Sequence, residues 1–208
     1  MATQWLTRNS KMVKSSGKVT YNFDIPAYKS QSGFITCPFA GVCKNGCYAQ
    51  MGTFQFSTVK NAMERRLDLT KSDEFVPEMI RDIQSNGVER VRIHASGDFY
   101  NREYVNKWLE IINACPDTEF YAYTKAFKLL PEYLPSNLTI IKSYGGVHDK
   151  FIDTNKDRHS RVFQSLSELL DAGYADASGD DSVAIGSNPK IGLVYHGYKS
   201  KGEVWKAS

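Results

Sequence analysis

The sequence predicts an α/β fold, a mostly parallel sheet of repeated βα units. Three observations predict it. Segments with period-two alternation and segments with helical period follow one another along the chain. Turn residues, Asn86-Gly87 and Cys115-Pro116 among them, fall between those segments. Residues able to do chemistry cluster where strands are expected to end, and ligands of parallel sheets bind at the C-terminal ends of strands.

Met1 to Gly17 reads as a polar lead-in, and residues 18–208 as a single domain. Lys18 to Ile25 alternates, with Val19, Tyr21, Phe23 and Ile25 on one face, which predicts a strand ended by Pro26. A cysteine loop at 37–47 follows closely. Phe56, Val59, Met63 and Leu67 recur at helical spacing, and a second helix is expected to begin with Ser72 as its N-cap and to bury Val76, Met79, Ile80 and Ile83. Val88 to Ala95 reads as the next strand. A helix from about Arg102 to Ala114 follows, with Tyr104, Val105, Trp108, Leu109 and Ile112 as its core face. Thr118 to Lys125 is a strand, Leu129 to Leu134 a short helix, and Leu138 to Ser143 a strand. From about residue 145 the pattern is less regular. Ser160 to Ala172 reads as an amphipathic helix, Gly173 to Lys190 as a loop whose Asp176, Asp180 and Asp181 read as solvated turn residues, with a hard-cation site as the alternative, and Ile191 to His196 as a last strand.

Lys+Arg number 26 and Asp+Glu 23, a formal charge of +3, so no strong field points to nucleic acid or to an anionic membrane. Partners must be read from sites. No apolar run approaches a membrane span, and no apolar segment follows Met1-Ala2-Thr3-Gln4-Trp5 in the manner of a secretory signal. The expectation is a cytoplasmic protein with reduced thiols.

Three of the four cysteines, Cys37, Cys43 and Cys47, are spaced C-x5-C-x3-C with glycines between them. Reduced thiols in an odd cluster argue against disulfides. They point to a soft metal or an iron–sulfur cluster. A closed structural zinc site normally takes four ligands, whereas a [4Fe–4S] cluster on three thiolates leaves one iron open. Zinc with His94 as fourth ligand is the alternative. His94 otherwise reads as a hydrogen-bonded core residue, and Cys115, at the end of a helix, as packing.

A parallel sheet would bring the cysteine loop to one rim with Ser96-Gly97-Asp98-Phe99, Thr124-Lys125 and Ser143-Tyr144-Gly145-Gly146. Asp98 would accept from an ammonium group there, and Lys125 would pair with a carboxylate. The competing reading of Asp98 is an N-cap-like turn residue before the Arg102 helix.

The run CPFAGVCKNGCYAQMG, then RIHASGDFYNREYVNKW, then FYAYTK, closely resembles a phage family, the gene product 88 family of mycobacteriophage type. The likeness spans about Cys37 to Lys125 and extends more weakly to the terminal IGLVYHG. More distantly, the order of cysteine loop, glycine-acidic turn and βα repeats resembles radical S-adenosylmethionine (SAM) enzymes. That resemblance implies an incomplete partial barrel and a [4Fe–4S] cluster on Cys37, Cys43 and Cys47. It also implies SAM on the open iron, with Ser96, Gly97 and Asp98 gripping its methionine end. Cluster reduction would then cleave SAM to a 5′-deoxyadenosyl radical that attacks an unidentified substrate. The superfamily spacing is C-x3-C-x2-C, so this loop must take a different shape. The rival class is a non-catalytic protein, stabilised by a cluster or by zinc, that binds a host protein or nucleic acid through Phe99, Tyr100, Arg102, Tyr121, Tyr123 and Lys125.

Overall fold

The computed structural model describes residues 4–8, 17–197 and 205. One eight-stranded sheet runs through them, formed by β1 (Thr7–Arg8), β2 (Thr20–Phe23), β3 (Arg90–Ile93), β4 (Glu119–Thr124), β5 (Leu138–Ser143), β6 (His159–Phe163), β7 (Ala175–Asp176) and β8 (Lys190–Val194). Its order is β1-β2-β3-β4-β5-β6-β8-β7, and every neighbouring pair is parallel except β1 with β2. From β2 to β6 the strands lie in chain order, so each crossover steps in the same direction along the sheet. The α/β class and the mostly parallel sheet are as the alternation of periods predicts.

The helices are α1 (Ser57–Thr70), α2 (Phe75–Ser85), α3 (Arg102–Ala114), α4 (Leu166–Asp171) and α5 (Ser182–Ile185). Strand alternation gives the sheet two unlike faces. Val91, Ile93, Phe120, Ala122 and Leu138 pack with Leu67, Phe75, Met79, Ile83, Val105 and Trp108 of α1, α2 and α3 in the main core. Here Phe23, Phe75 and Trp108 meet edge-on or tilted, with ring centroids 5.3–5.5 Å apart. The other face carries Arg92, Tyr121, Tyr123 and Ile141, and a smaller apolar cluster forms there with Ala177, Ala184 and Ile191. Polar residues at alternate positions of nearly buried strands mark that second face as the one with a use besides packing.

Several boundaries differ from the expectation for physical reasons. Part of the lead-in is docked: Leu6 is buried, Thr7–Arg8 pairs with β2, and the backbone N–H groups of Gln4 and Trp5 donate to Asp82 at 3.0 and 2.8 Å. Residues 9–16 lie outside the described residues. Phe56 precedes α1 in extended conformation and is 61% exposed, so it does not belong to the buried stripe of Met63 and Leu67. Ser72 does not cap α2; its hydroxyl donates to the Leu69 carbonyl, and Glu74 stands at the N-cap. Leu129 to Leu134 forms no α-helix, because Pro131 and Pro135 bias the residues before them away from helical angles; only a 3-10 turn, Phe127–Leu129, is present.

The largest correction is in the last third. Ser160 to Ala172 is a strand followed by a helix: β6 pairs with β5 and β8, and Ser165 then caps α4 by accepting from the Glu168 N–H at 3.2 Å. Gly173 to Lys190 is likewise more than a loop, since it holds β7 and α5. Among the described residues no helix is long and apolar enough to cross a membrane.

Candidate functional site

The cysteine loop is built from three turns. In each, the cysteine carbonyl accepts from the N–H three residues on, from Ala40, Gly46 and Gln50 respectively, all at 3.2 Å. Long-range bonds then fix the loop over the strand ends. Before Cys37 the chain doubles back through a Lys29–Ile35 bridge, Thr36 donates its hydroxyl to the Pro26 carbonyl at 2.6 Å, and the Tyr28 N–H donates to Cys37 Sγ at 3.3 Å. In the middle, Ala40 bridges to Gly146, and the Cys43 N–H donates to the Gly145 carbonyl at 3.0 Å. A Cβ on Gly41 would lie 3.0 Å from the Gly146 carbonyl carbon, so this close crossing of two backbones leaves little room for a side chain. At the far end the Tyr48 hydroxyl donates to the Ala95 carbonyl after β3.

The loop, the turns after β3, β4 and β5, and the segments after β7 and β8 enclose a cavity of about 300 Å³ lined by Cys37, Cys43, Cys47, Ser96, Gly97, Asp98 and Lys125 among others. The structure thus brings together the predicted site residues. Their roles are uneven. The Cys47 thiol hydrogen-bonds to Cys43, and that contact together with the Lys125 cation holds the Cys43 thiol down at about 6. Cys47, as the partner that keeps its proton, is pushed up. Burial pushes Cys37 up to about 12. Lys125 Nζ also donates to Ser143 Oγ at 3.1 Å, so the lysine is aimed at the thiols rather than out of the cavity.

Ser96, Gly97 and Asp98 chiefly hold the rim together. Ser96 Oγ donates to the Ile25 carbonyl at 2.9 Å, tying the turn after β3 to the end of β2. Gly97 has φ +88, and a Cβ there would fall 2.3 Å from Ile25 Cγ1, so its missing side chain serves packing on Ile25. Asp98 accepts from Phe99 N–H at 2.8 Å, Thr124 Oγ1 at 2.6 Å and Lys125 N–H at 2.9 Å. It therefore spans from the turn after β3 to the end of β4 and sets the backbone from which Lys125 departs. Asn101, not Asp98, caps α3.

His94 is buried with φ +68, its Nε2 paired with the Tyr104 hydroxyl at 2.8 Å, which agrees with a core histidine. Among the described residues no three His, Cys, Asp or Glu side chains are gathered on one point to hold a single metal ion. A tetrahedral zinc needs its ligands on one centre at ~2–2.3 Å. Cys37, Cys43 and Cys47 all line the one cavity; a cluster, in which each thiolate would take its own iron, would draw its donors from these three. Cys115 is buried in the main core and is not part of the cavity lining.

Other lining residues escaped the sequence reading. Arg92 Nη1 pairs with Asp181 Oδ2 at 2.5 Å, and the same oxygen accepts from the Tyr121 hydroxyl at 3.0 Å. The Arg92 guanidinium lies 5.1 Å from the Tyr123 ring centroid. Asp181 is thus buried rather than a solvated turn residue, and Tyr121, with 1% exposure, cannot serve as a contact surface. The available signal was Arg92 itself, a charge inside a strand otherwise expected to be covered.

Fold and site together define a parallel α/β protein with a three-thiol cavity at the C-terminal rim of its sheet. The profile of the family described as Gene product 88 matches residues 3–207. The chain belongs to that family. It is similar to the Gene 88 protein of Mycobacterium phage L5, 32% identical over 112 residues that cover 46% of this chain and 45% of the relative. The Gene 88 protein of Mycobacterium phage D29 is 30% identical over the same coverage. The matched stretch thus spans about half the length of these relatives. No solved structure matches.

Proposed function

We propose that this chain is an iron–sulfur protein in which Cys37, Cys43 and Cys47 hold a [4Fe–4S] cluster with one open iron, and that the cavity beside it takes SAM. One observation carries the reading: three thiols, each heading its own turn, open onto a single cavity at the C-terminal ends of parallel strands laid in chain order. That order is also how a partial barrel begins. When bound, the cluster supplies a one-electron couple and an open coordination position.

The protein's own groups would do the rest. Lys125, fixed by Ser143 and by the backbone bond of Lys125 to Asp98, places a cation beside Cys43 and within reach of a carboxylate. The Ser96–Asp98 turn offers backbone groups more than side chains, because its side chains are engaged within the rim.

The test is iron, acid-labile sulfide and zinc content of protein purified without oxygen. About four iron and four sulfide per chain are expected, with a spectrum of the reduced protein that changes when SAM is added. Replacing Cys37, Cys43 or Cys47 by Ala should remove the iron, and Cys115→Ala should keep it. About one zinc and no iron would overturn the assignment in favour of a metal-stapled protein that binds a host partner.

A further inference from the structure

The segment between β5 and β6 carries a surface feature that is not part of the thiol cavity lining. It crosses the cysteine loop at the Ala40–Gly146 bridge, where the Val147 N–H also donates to the Phe39 carbonyl at 3.0 Å, and then closes the 3-10 turn Asp149–Phe151. The His148 ring at the head of that turn lies 4.9 Å from Phe39 and 6.0 Å from Phe127, centroid to centroid, and Ile152 after it is buried. This packing fixes the turn. The Phe151 ring is left half exposed, and Val147 is exposed as well.

Two cations gather on that ring. Lys128 Nζ lies 3.8 Å and Lys150 Nζ 5.2 Å from the Phe151 centroid, and among the described residues neither lysine pairs with a carboxylate. The acidic groups of the same stretch are committed elsewhere. Asp149 accepts from the Gly145 and Gly146 N–H groups at 2.8 and 2.9 Å, Asp157 pairs with Lys142, and Asp153 pairs with Lys156. Glu132 forms no ion pair with either lysine. The chain as a whole carries a formal charge of only +3, yet this patch shows one sign, because its carboxylates are spent on backbone and on other lysines. Two ammonium groups on one ring without a counter-ion favour an anion beside them.

We propose that this patch binds single-stranded nucleic acid, with Lys128 and Lys150 on phosphates and Phe151 as the platform for a base. Unpaired lysines beside an exposed aromatic ring match a single strand, which offers both phosphates and bare base faces. An acidic peptide would use the two lysines and leave the ring without a role, and a duplex keeps its base faces in the stack. Lysine stems are flexible, so the ammonium groups can leave the ring as a base takes their place. The surface does not depend on what the thiols hold. The shared loop crossing nevertheless puts a bound strand at the same rim of the sheet as the cavity.

Fluorescence anisotropy of a labelled oligothymidylate of about 12 nucleotides, bound to the full chain, tests this, with a duplex of the same length and polyglutamate as competitors. The strand is expected to bind, and each competitor to displace it at least tenfold less well than the unlabelled strand does. Phe151→Leu, which keeps an apolar side chain next to His148 and removes the ring, should weaken binding at least fivefold. Combining Lys128→Gln with Lys150→Gln should lower the slope of log K against log salt by about 1.4, the value for two phosphate contacts. That double variant alters exposed charge and not the core, so it reads the contact even where Phe151→Leu loses its thermal midpoint. No binding at low salt, equal displacement by duplex or polyglutamate, an unweakened Phe151→Leu, or an unchanged salt slope in the double variant would each overturn the proposal. Iron and sulfide assayed on the same samples report separately on the cluster reading.

Discussion

Gly97 shows how a single residue sets the rim. Its φ of +88 and the 2.3 Å approach that a Cβ would make to Ile25 Cγ1 leave no room for a side chain. Gly97→Ala should therefore cost about 1–3 kcal/mol from the left-handed backbone, with overpacking against Ile25 added; an unchanged urea midpoint would refute this. His94 adds a pH dependence. Burial lowers its pKa from 6.5 to about 3, so between those values the unfolded chain takes up a proton that the folded protein refuses. The stability tied to neutral His94 is full above about 6.5 and is lost as pH falls toward about 3. Asp24 and Asp98, raised by burial, act with the opposite sign. Both persist in His94→Asn, so subtraction removes them: the parent's advantage over that variant in urea unfolding should shrink steadily through this window. A constant difference would mean that His94 is not the titrating group. Asn is chosen because it tolerates the positive φ of His94.

At the scale of elements, helix starts depend on what the cap side chain reaches. Asn101 Oδ1 accepts from the Tyr104 N–H at 2.8 Å at the start of α3, whereas the Ser72 hydroxyl turns back to Leu69. Asn101→Ala should lower stability by about 1 kcal/mol, and Ser72→Ala by clearly less; the two urea midpoints decide it. Legibility followed the same line. The α3 range is as expected from Arg102 to Ala114, because one amphipathic period runs between an Asn and a Cys-Pro stop. The stretch after Ser160 misled because the apolar residues of β6 and α4 happen to continue one helical spacing across the Gln164–Ser165 break. In β7 and α5 the paired or helical runs are 2 and 4 residues, too short to show a period, and tertiary contacts alone hold them.

At the scale of the whole molecule, the chain's start closes one end of the sheet. Leu6 joins the main core and the N–H groups of Gln4 and Trp5 rest on Asp82, so Leu6→Ala should cost about 2–5 kcal/mol. A loss below 1 kcal/mol on denaturant unfolding would show that the lead-in is dispensable. The sequence by itself determined the α/β class, the central run of strands with α1, α2 and α3, and the meeting of Cys37, Cys43, Cys47 and Lys125 at one rim. Those follow from local periodicity and from the rule that parallel strands end together. Only the tertiary structure decided that Ser96, Gly97 and Asp98 chiefly brace the rim, and that Arg92, Tyr123 and Asp181 form a polar wall in the cavity. Side-chain partners up to 89 residues apart settle those roles, as Arg92 and Asp181 do. Whether a carboxylate is a turn residue, a brace or a counter-ion depends on which group faces it, and spacing along the chain carries no such information.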